Sequence, residues 1–189
     1  MKRGTFIPKE TVEPAESFVR EFNLTIEIIP VFSEGSRTET VIFPILREVY
    51  KDYSESFTLW IEQTLSYDAK LNGTPDYILA ANSPLGKTVF THPLLAMMEA
   101  KKNDFDFGWA QCLAELVAAQ KINGDETFTV YGVVTDGISW QFGKLEKDLF
   151  TQDTSIHAID DLPRLFGALH FVFRTMQEAL ATSPLRPAP

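Results

Sequence analysis

Residues 74–101 read TPDYILAANSPLGKTVFTHPLLAMMEAK, and the fold turns on this stretch. Leu94, Leu95, Ala96, Met97 and Met98 are apolar without a break, the pattern of a strand buried on both faces. Alternate side chains of a strand share a face, so Glu99 and Lys101 point one way and Ala100 the other. A carboxylate and an ammonium at the end of such a strand need an explanation, because buried charge is expensive unless it is paired or meets a metal. Asp76 follows Pro75 at the mouth of a second strand-like run and can bring another carboxylate alongside. Two carboxylates suit Mg²⁺, which takes one or two protein carboxylates and several waters. The lysine is then placed to hold an attacking water or to stabilise charge on a phosphoryl oxygen.

Upstream, Ser36-Arg37-Thr38-Glu39 matches a capping box, which starts a helix. Ile42, Ile45, Leu46, Val49 and Tyr53 follow at helical spacing. Pro44 conflicts with a straight helix, so the helix bends there or begins nearer to it. Residues 57–67 suit a strand, Asn72-Gly73 a turn, and 75–79 the next strand, with proline at its opening. Beyond Lys101, Asn103 or Asp104 can cap a helix reaching Ile122 and stopping at Asn123-Gly124. Its apolar face reads as Leu113 and Val117 with Ala110 or Ala114. Residues 127–135 and 138–145 form a hairpin around Asp136-Gly137, a type I′ signature.

The outer parts read less sharply. Residues 14–22 suit a short helix, and 24–32 an edge strand or a strand followed by a turn, given Pro30. A polar connection covers 151–160. Asp160 then caps a last helix, with Pro163 in its first turn and Leu162, Leu165, Phe166, Leu169, Val172, Phe173, Met176 and Leu180 along one face. The tail from Ser183 holds three prolines and is expected to be disordered. One domain over 1–182 accounts for the chain.

The residues Pro75-Asp76 and Glu99-Ala100-Lys101, with helix, three strands, helix, strand around them, resemble the PD-(D/E)xK phosphodiesterase superfamily. Glu99-Ala100-Lys101-Lys102 is most similar to the nuclease domain at the N-terminus of type I restriction motor subunits. The resemblance covers roughly residues 37–145. It implies an α/β, restriction-endonuclease-like αβββαβ core: a mixed central sheet flanked by helices, here with an extra N-terminal strand and a C-terminal amphipathic helix. It also implies Asp76 and Glu99 as ligands of Mg²⁺ or Mn²⁺, the Ala100 carbonyl as a further ligand, and Lys101 as the catalytic lysine. Lys102 faces away from Lys101, as a surface charge or a phosphate contact. TETVIFPIL resembles the first helix of that domain, where an acidic residue can join the metal; Glu39 is the nearest match and Glu48 the runner-up. Gln111 matches a glutamine the family places near the site. Some members add a tyrosine four residues later, where this chain has Glu115.

Composition bounds the function. A net charge of −9 argues against a generic basic nucleic-acid binder, though not against a local groove around an acidic metal site. The implied partner is nucleic acid, DNA ahead of RNA, with room for a homodimer or a protein partner. The rival reading is a catalytically silent module of the same fold that binds another protein. Cys112, the one cysteine, rules out an intramolecular disulfide. No apolar run reaches 18 residues and the first residues lack a signal core, so the expectation is a cytoplasmic protein off the membrane. His92, His157 and His170 lack zinc-ligand spacing, and no glycine-rich phosphate loop or nucleophile elbow occurs.

Overall fold

The computed structural model describes residues 2–101 and 104–185. The expected roles of Lys102 and Asn103 lie outside them, as does most of the proline-rich tail; Leu185 within that tail packs against the core. The chain opens with a two-residue strand, Lys2–Arg3 (β1), and a helix, Glu16–Ile28 (α1). α1 is longer than the sequence implies and contradicts the edge strand at 24–32. Phe18 and Phe22, one turn apart, are buried, with Phe18 against Phe166. Burying one such ring contributes about 1.5–3 kcal/mol, enough to override the weak strand preference of Thr25, Ile26 and Ile28, which ride on the same helix. Pro30 ends it rather than marking an edge. The extra N-terminal strand is therefore only β1.

Next come Glu34–Arg37 (α2), a π turn at Thr38–Ile42, and Phe43–Tyr50 (α3). The capping box is real but sits three residues earlier: the Ser33 hydroxyl accepts from the Ser36 amide, and the Ser36 hydroxyl accepts from the Ser33 amide. The π turn, closed by Phe43 N donating to Thr38 O, lets Pro44 enter the first turn of α3 without clashing with the preceding carbonyls. Residues 57–67 are not one strand. Phe57–Ile61 (β2) stops at Glu62, whose φ is 50°. Leu65–Ser66 (β3) then pairs with Asn72–Gly73 (β4) in a separate ribbon. Asn72-Gly73 is thus a strand, not the turn; Asp68 makes the turn by accepting from the amides of Lys70 and Leu71.

Tyr77–Ala81 (β5) and Leu94–Ala100 (β6) follow, and every residue of both is buried. A helix, Phe105–Asn123 (α4), is capped by Asp104, whose carboxylate accepts from Phe107 N, and ends on Gly124 at φ 69°. Val130–Thr135 (β7) and Ser139–Glu146 (β8) form the expected hairpin. Its turn is not type I′, which needs two left-handed residues. Gly137 alone has positive φ there, and Asp136 braces the turn by accepting from the amides of Ile138 and Ser139. The connection at 151–160 is partly ordered as Leu149–Gln152 (β9) and His157–Ala158 (β10). Asp161, not Asp160, caps the last helix, Leu162–Thr182 (α5).

The architecture is α/β, with a mixed central sheet flanked by helices. The main sheet runs β1-β9-β8-β7-β6-β5-β2, with β10 beside β8. β2, β5 and β6 are successively antiparallel, and α4 carries the chain from β6 to the parallel β7. The sheet has two apolar faces. Leu95, Met98 and Ala100 pack toward α1, α3 and α5 with Phe18, Leu46, Leu169 and Phe173. Leu94 and Met97 pack toward α4 with Trp109, Cys112, Leu116 and Ala119. The buried face of α4 is therefore rotated from the expected one: Leu113 and Val117 are only half-buried, and Ala110 and Ala114 are exposed.

Candidate active site

Alternation along β6 puts Glu99 and Lys101 on the α4 side of the sheet, while Ala100 is buried on the other. Lys101 Nζ lies 3.1 Å from Glu99 Oε2, so the two side chains share a face as their spacing requires. The Lys101 stem passes close to Gly108, where a Cβ would sit 3.1 Å from Lys101 Cγ. Asp76, just before β5, lies alongside: its Oδ2 accepts from the Ala100 amide at 2.7 Å, and its own carbonyl accepts from Glu62 N. The structure thus brings together Asp76, Glu99, Ala100 and Lys101. Ala100 meets Asp76 through its amide.

Glu99 is 1% exposed and Glu115, from α4, is 5% exposed. The two carboxyls come within hydrogen-bonding reach of each other. Gln111, one turn earlier on α4, donates to Glu115 Oε1 at 3.2 Å, so the expected place of Gln111 beside the site is met through Glu115. Glu99 Oε1 and Glu115 Oε2 are buried with no hydrogen-bond donor among the described residues. Two facing carboxyls with no donor between them need a proton or a cation. Burial, then the adjoining Glu115, push Glu99 up to about 9. Burial also raises Glu115, against the lowering effect of its contacts with Glu99 and Gln111. Asp76 is raised by burial, which outweighs the Ala100 amide and the Lys101 charge. For Lys101, burial lowers the ammonium but the Glu99 carboxylate wins, and the net direction is upward.

A cleft of about 440 Å³ opens beside Asp76, lined by Glu34, Gly35, Thr38, Glu39, Phe43, Ile61, Glu62 and Tyr77. Glu39 is exposed on the π turn and faces this cleft, while Glu48 turns away to pair with Lys51 at 2.7 Å. Among the described residues, four carboxylates line the cleft and neither lysine nor arginine does. Behind Glu115, a smaller cavity of about 180 Å³ lies between α4 and the β3–β4 ribbon.

Among the described residues, no three Asp, Glu, His or Cys side chains are grouped as a ready cage for a metal ion. The donor chemistry nevertheless suits a hard divalent ion, which needs only one or two protein carboxylates and completes its shell with water. The buried, donorless oxygens of Glu99 and Glu115 are the atoms such an ion would satisfy. His170 and His157 have other surroundings. His170 Nδ1 lies 3.0 Å from the Tyr53 hydroxyl, and His157 is buried edge-on to Phe142. Trp140 and Trp109 are core aromatics, and Trp60 packs on Phe90.

Glu34, Glu62 and Glu115 are the residues that sequence reasoning missed. Glu115 carried a usable clue: it lies three residues after Cys112 and directly before Leu116, the phase of the buried face. Glu34 and Glu62 had none, because a folded turn brings them to the cleft. Comparison with protein-family models, curated proteins and solved structures finds no match to this chain.

Proposed function

We propose that this protein is a metal-dependent phosphodiesterase of the PD-(D/E)xK type that cleaves nucleic acid, DNA ahead of RNA. The observation that carries the reading is the convergence of Asp76, Glu99 and Lys101 at one end of the β5–β6 pair, with Glu99 buried and in ion-pair contact with Lys101. With the β3–β4 ribbon set aside, the order α3, β2, β5, β6, α4, β7 supports it, since the resemblance implies an αβββαβ core. Asp76 and Glu99 would hold Mg²⁺ or Mn²⁺, which when bound supplies Lewis-acid stabilisation and a more acidic water. Lys101, held by Glu99 with its side chain only 19% exposed, orients the attacking water and offers positive charge to the phosphoryl oxygens. The Ala100 amide fixes the rotation of Asp76. Glu39 faces the substrate cleft.

The test is cleavage of plasmid and single-stranded DNA with Mg²⁺ or Mn²⁺ by wild type, Asp76→Ala and Lys101→Ala. Each substitution abolishes cleavage while the circular-dichroism spectrum stays native. Activity retained in either folded variant removes the assignment.

A second reading is favoured by the acidic lining of the cleft. Glu34, Glu39 and Glu62 around Asp76 repel a phosphate backbone and attract a cationic group. On this reading the domain is a catalytically silent binding module, or a subunit of a larger complex, whose partner presents basic side chains.

A further inference from the structure

We propose that Glu115 is a cation ligand: with Glu99 it grips a divalent ion between strand β6 and helix α4, and Gln111 sets the plane of its carboxyl group. The proposal rests on the reading of Asp76, Glu99 and Lys101 as a metal centre and names a ligand that the PD and ExK residues do not include.

Three observations lead there. Glu99 on β6 and Glu115 on α4 are both more than nine-tenths buried, their carboxyls come within hydrogen-bonding reach, and among the described residues one oxygen of each has no donor. Gln111 Nε2 already occupies Glu115 Oε1 at 3.2 Å, so Oε2 is the oxygen left for an ion. Gly73, on the ribbon beside α4, has no side chain to crowd this group: a Cβ there would lie 3.3 Å from Glu115 Oε1. A buried carboxylate pinned at one oxygen and bare at the other is pre-organised for a hard cation, because the orienting bond is made before the ion arrives. The helix then contributes to the site directly, so ion binding ties α4 to the central sheet.

The experiment is calorimetric titration of the full chain with MnCl₂, with the Mn²⁺-induced rise in melting temperature as a second readout. The proteins are wild type, Glu115→Gln, Gln111→Ala and Asp76→Asn. Wild type binds Mn²⁺. Glu115→Gln, nearly isosteric and folded by its melting curve, binds at least tenfold more weakly and loses the Mn²⁺-induced rise. Gln111→Ala lowers the metal-free melting temperature, because Glu115 Oε1 loses its donor, and the variant, still folded by its melting curve, binds Mn²⁺ severalfold more weakly in calorimetry, the mark of a positioning residue. If Glu115→Gln binds Mn²⁺ like wild type while Asp76→Asn loses it, the Glu115 ligand is refuted and the metal centre stands. If folded wild type takes up no Mn²⁺ at millimolar concentration, both fall.

Discussion

Replacing Glu99 by glutamine should make the metal-free protein more stable while destroying its proposed centre. Glu99 ordinarily titrates near 4.5 but is pushed to about 9 in the fold. The folded state therefore holds a proton that the unfolded chain releases, and stability falls as pH rises between those two values. At about 1.4 kcal/mol per pH unit above the unfolded value, this site costs the fold roughly 3 kcal/mol at pH 7 and almost nothing near pH 4.5. Glutamine carries no such proton, keeps the shape, and offers an amide N–H to the facing Glu115. At pH 7 the protonated Glu99 makes no full ion pair with Lys101, 3.1 Å away, and the glutamine carbonyl can still accept from that ammonium, so the expected gain is about 2–3 kcal/mol. Urea denaturation of wild type and Glu99→Gln in EDTA at pH 5, 7 and 8 measures it. The two proteins should agree at pH 5 and diverge as pH rises, with wild type carrying the steeper decline. A variant that is less stable at pH 7, or that keeps the wild-type pH slope, refutes the account of two buried carboxyls short of a donor.

Two further outcomes follow from other parts of the molecule. Asp153 accepts from the amides of Phe6, Ile7 and Ser155; burial pushes its carboxyl up, but these bonds outweigh burial and the net direction is down. Its stabilisation is present above the unfolded carboxylate value and is lost as pH falls through the lower folded one, so Asp153→Asn costs about 1.5–3 kcal/mol at pH 7 and much less near pH 2 in urea melts. Glu39→Lys combined with Glu62→Lys converts the acidic cleft into a mixed one. It raises affinity for an oligonucleotide at least tenfold at low salt in fluorescence anisotropy, whereas an unchanged affinity shows that nucleic acid does not approach through this cleft.

The centre of the fold was legible because its residues follow short-range rules. The unbroken apolar run before Glu99 made a strand with no exposed face, and alternation put Glu99 beside Lys101. Asp104 and Gly124 bracket α4 as capping chemistry requires. The misreadings have a common physical cause. Residues 24–28 favour a strand locally, yet Phe18 and Phe22 bury a helical face and carry the rest of α1 with them. Asn72-Gly73 suits a turn, yet Asp68 supplies a better one four residues earlier and leaves the pair free to join β3. In each case tertiary or neighbouring hydrogen bonds outweighed a preference worth a few tenths of a kcal/mol to about 1 kcal/mol per residue.

Glu115 is the instructive failure. Its position on α4 looked like a departure from a familiar pattern, and the helix face was placed on Leu113 and Val117, which turns Glu115 outward. Trp109, Cys112, Leu116 and Ala119 instead face the sheet, and that phase turns Glu115 inward onto Glu99. An acid pair in that position breaks the rule that buried charges come with partners. Other buried polar side chains do find partners: Asp153 has its three amides and Asn123 bonds both backbone groups of Leu94. Trp60 Nε1, Trp140 Nε1 and both ring nitrogens of His157 are also buried without a partner among the described residues, but those groups are neutral; Glu99 and Glu115 are the carboxyls left bare, beside a lysine. An acid pair of this kind is what a site for an ion needs, because a carboxylate already satisfied by fixed protein donors is a poor ligand for an incoming ion.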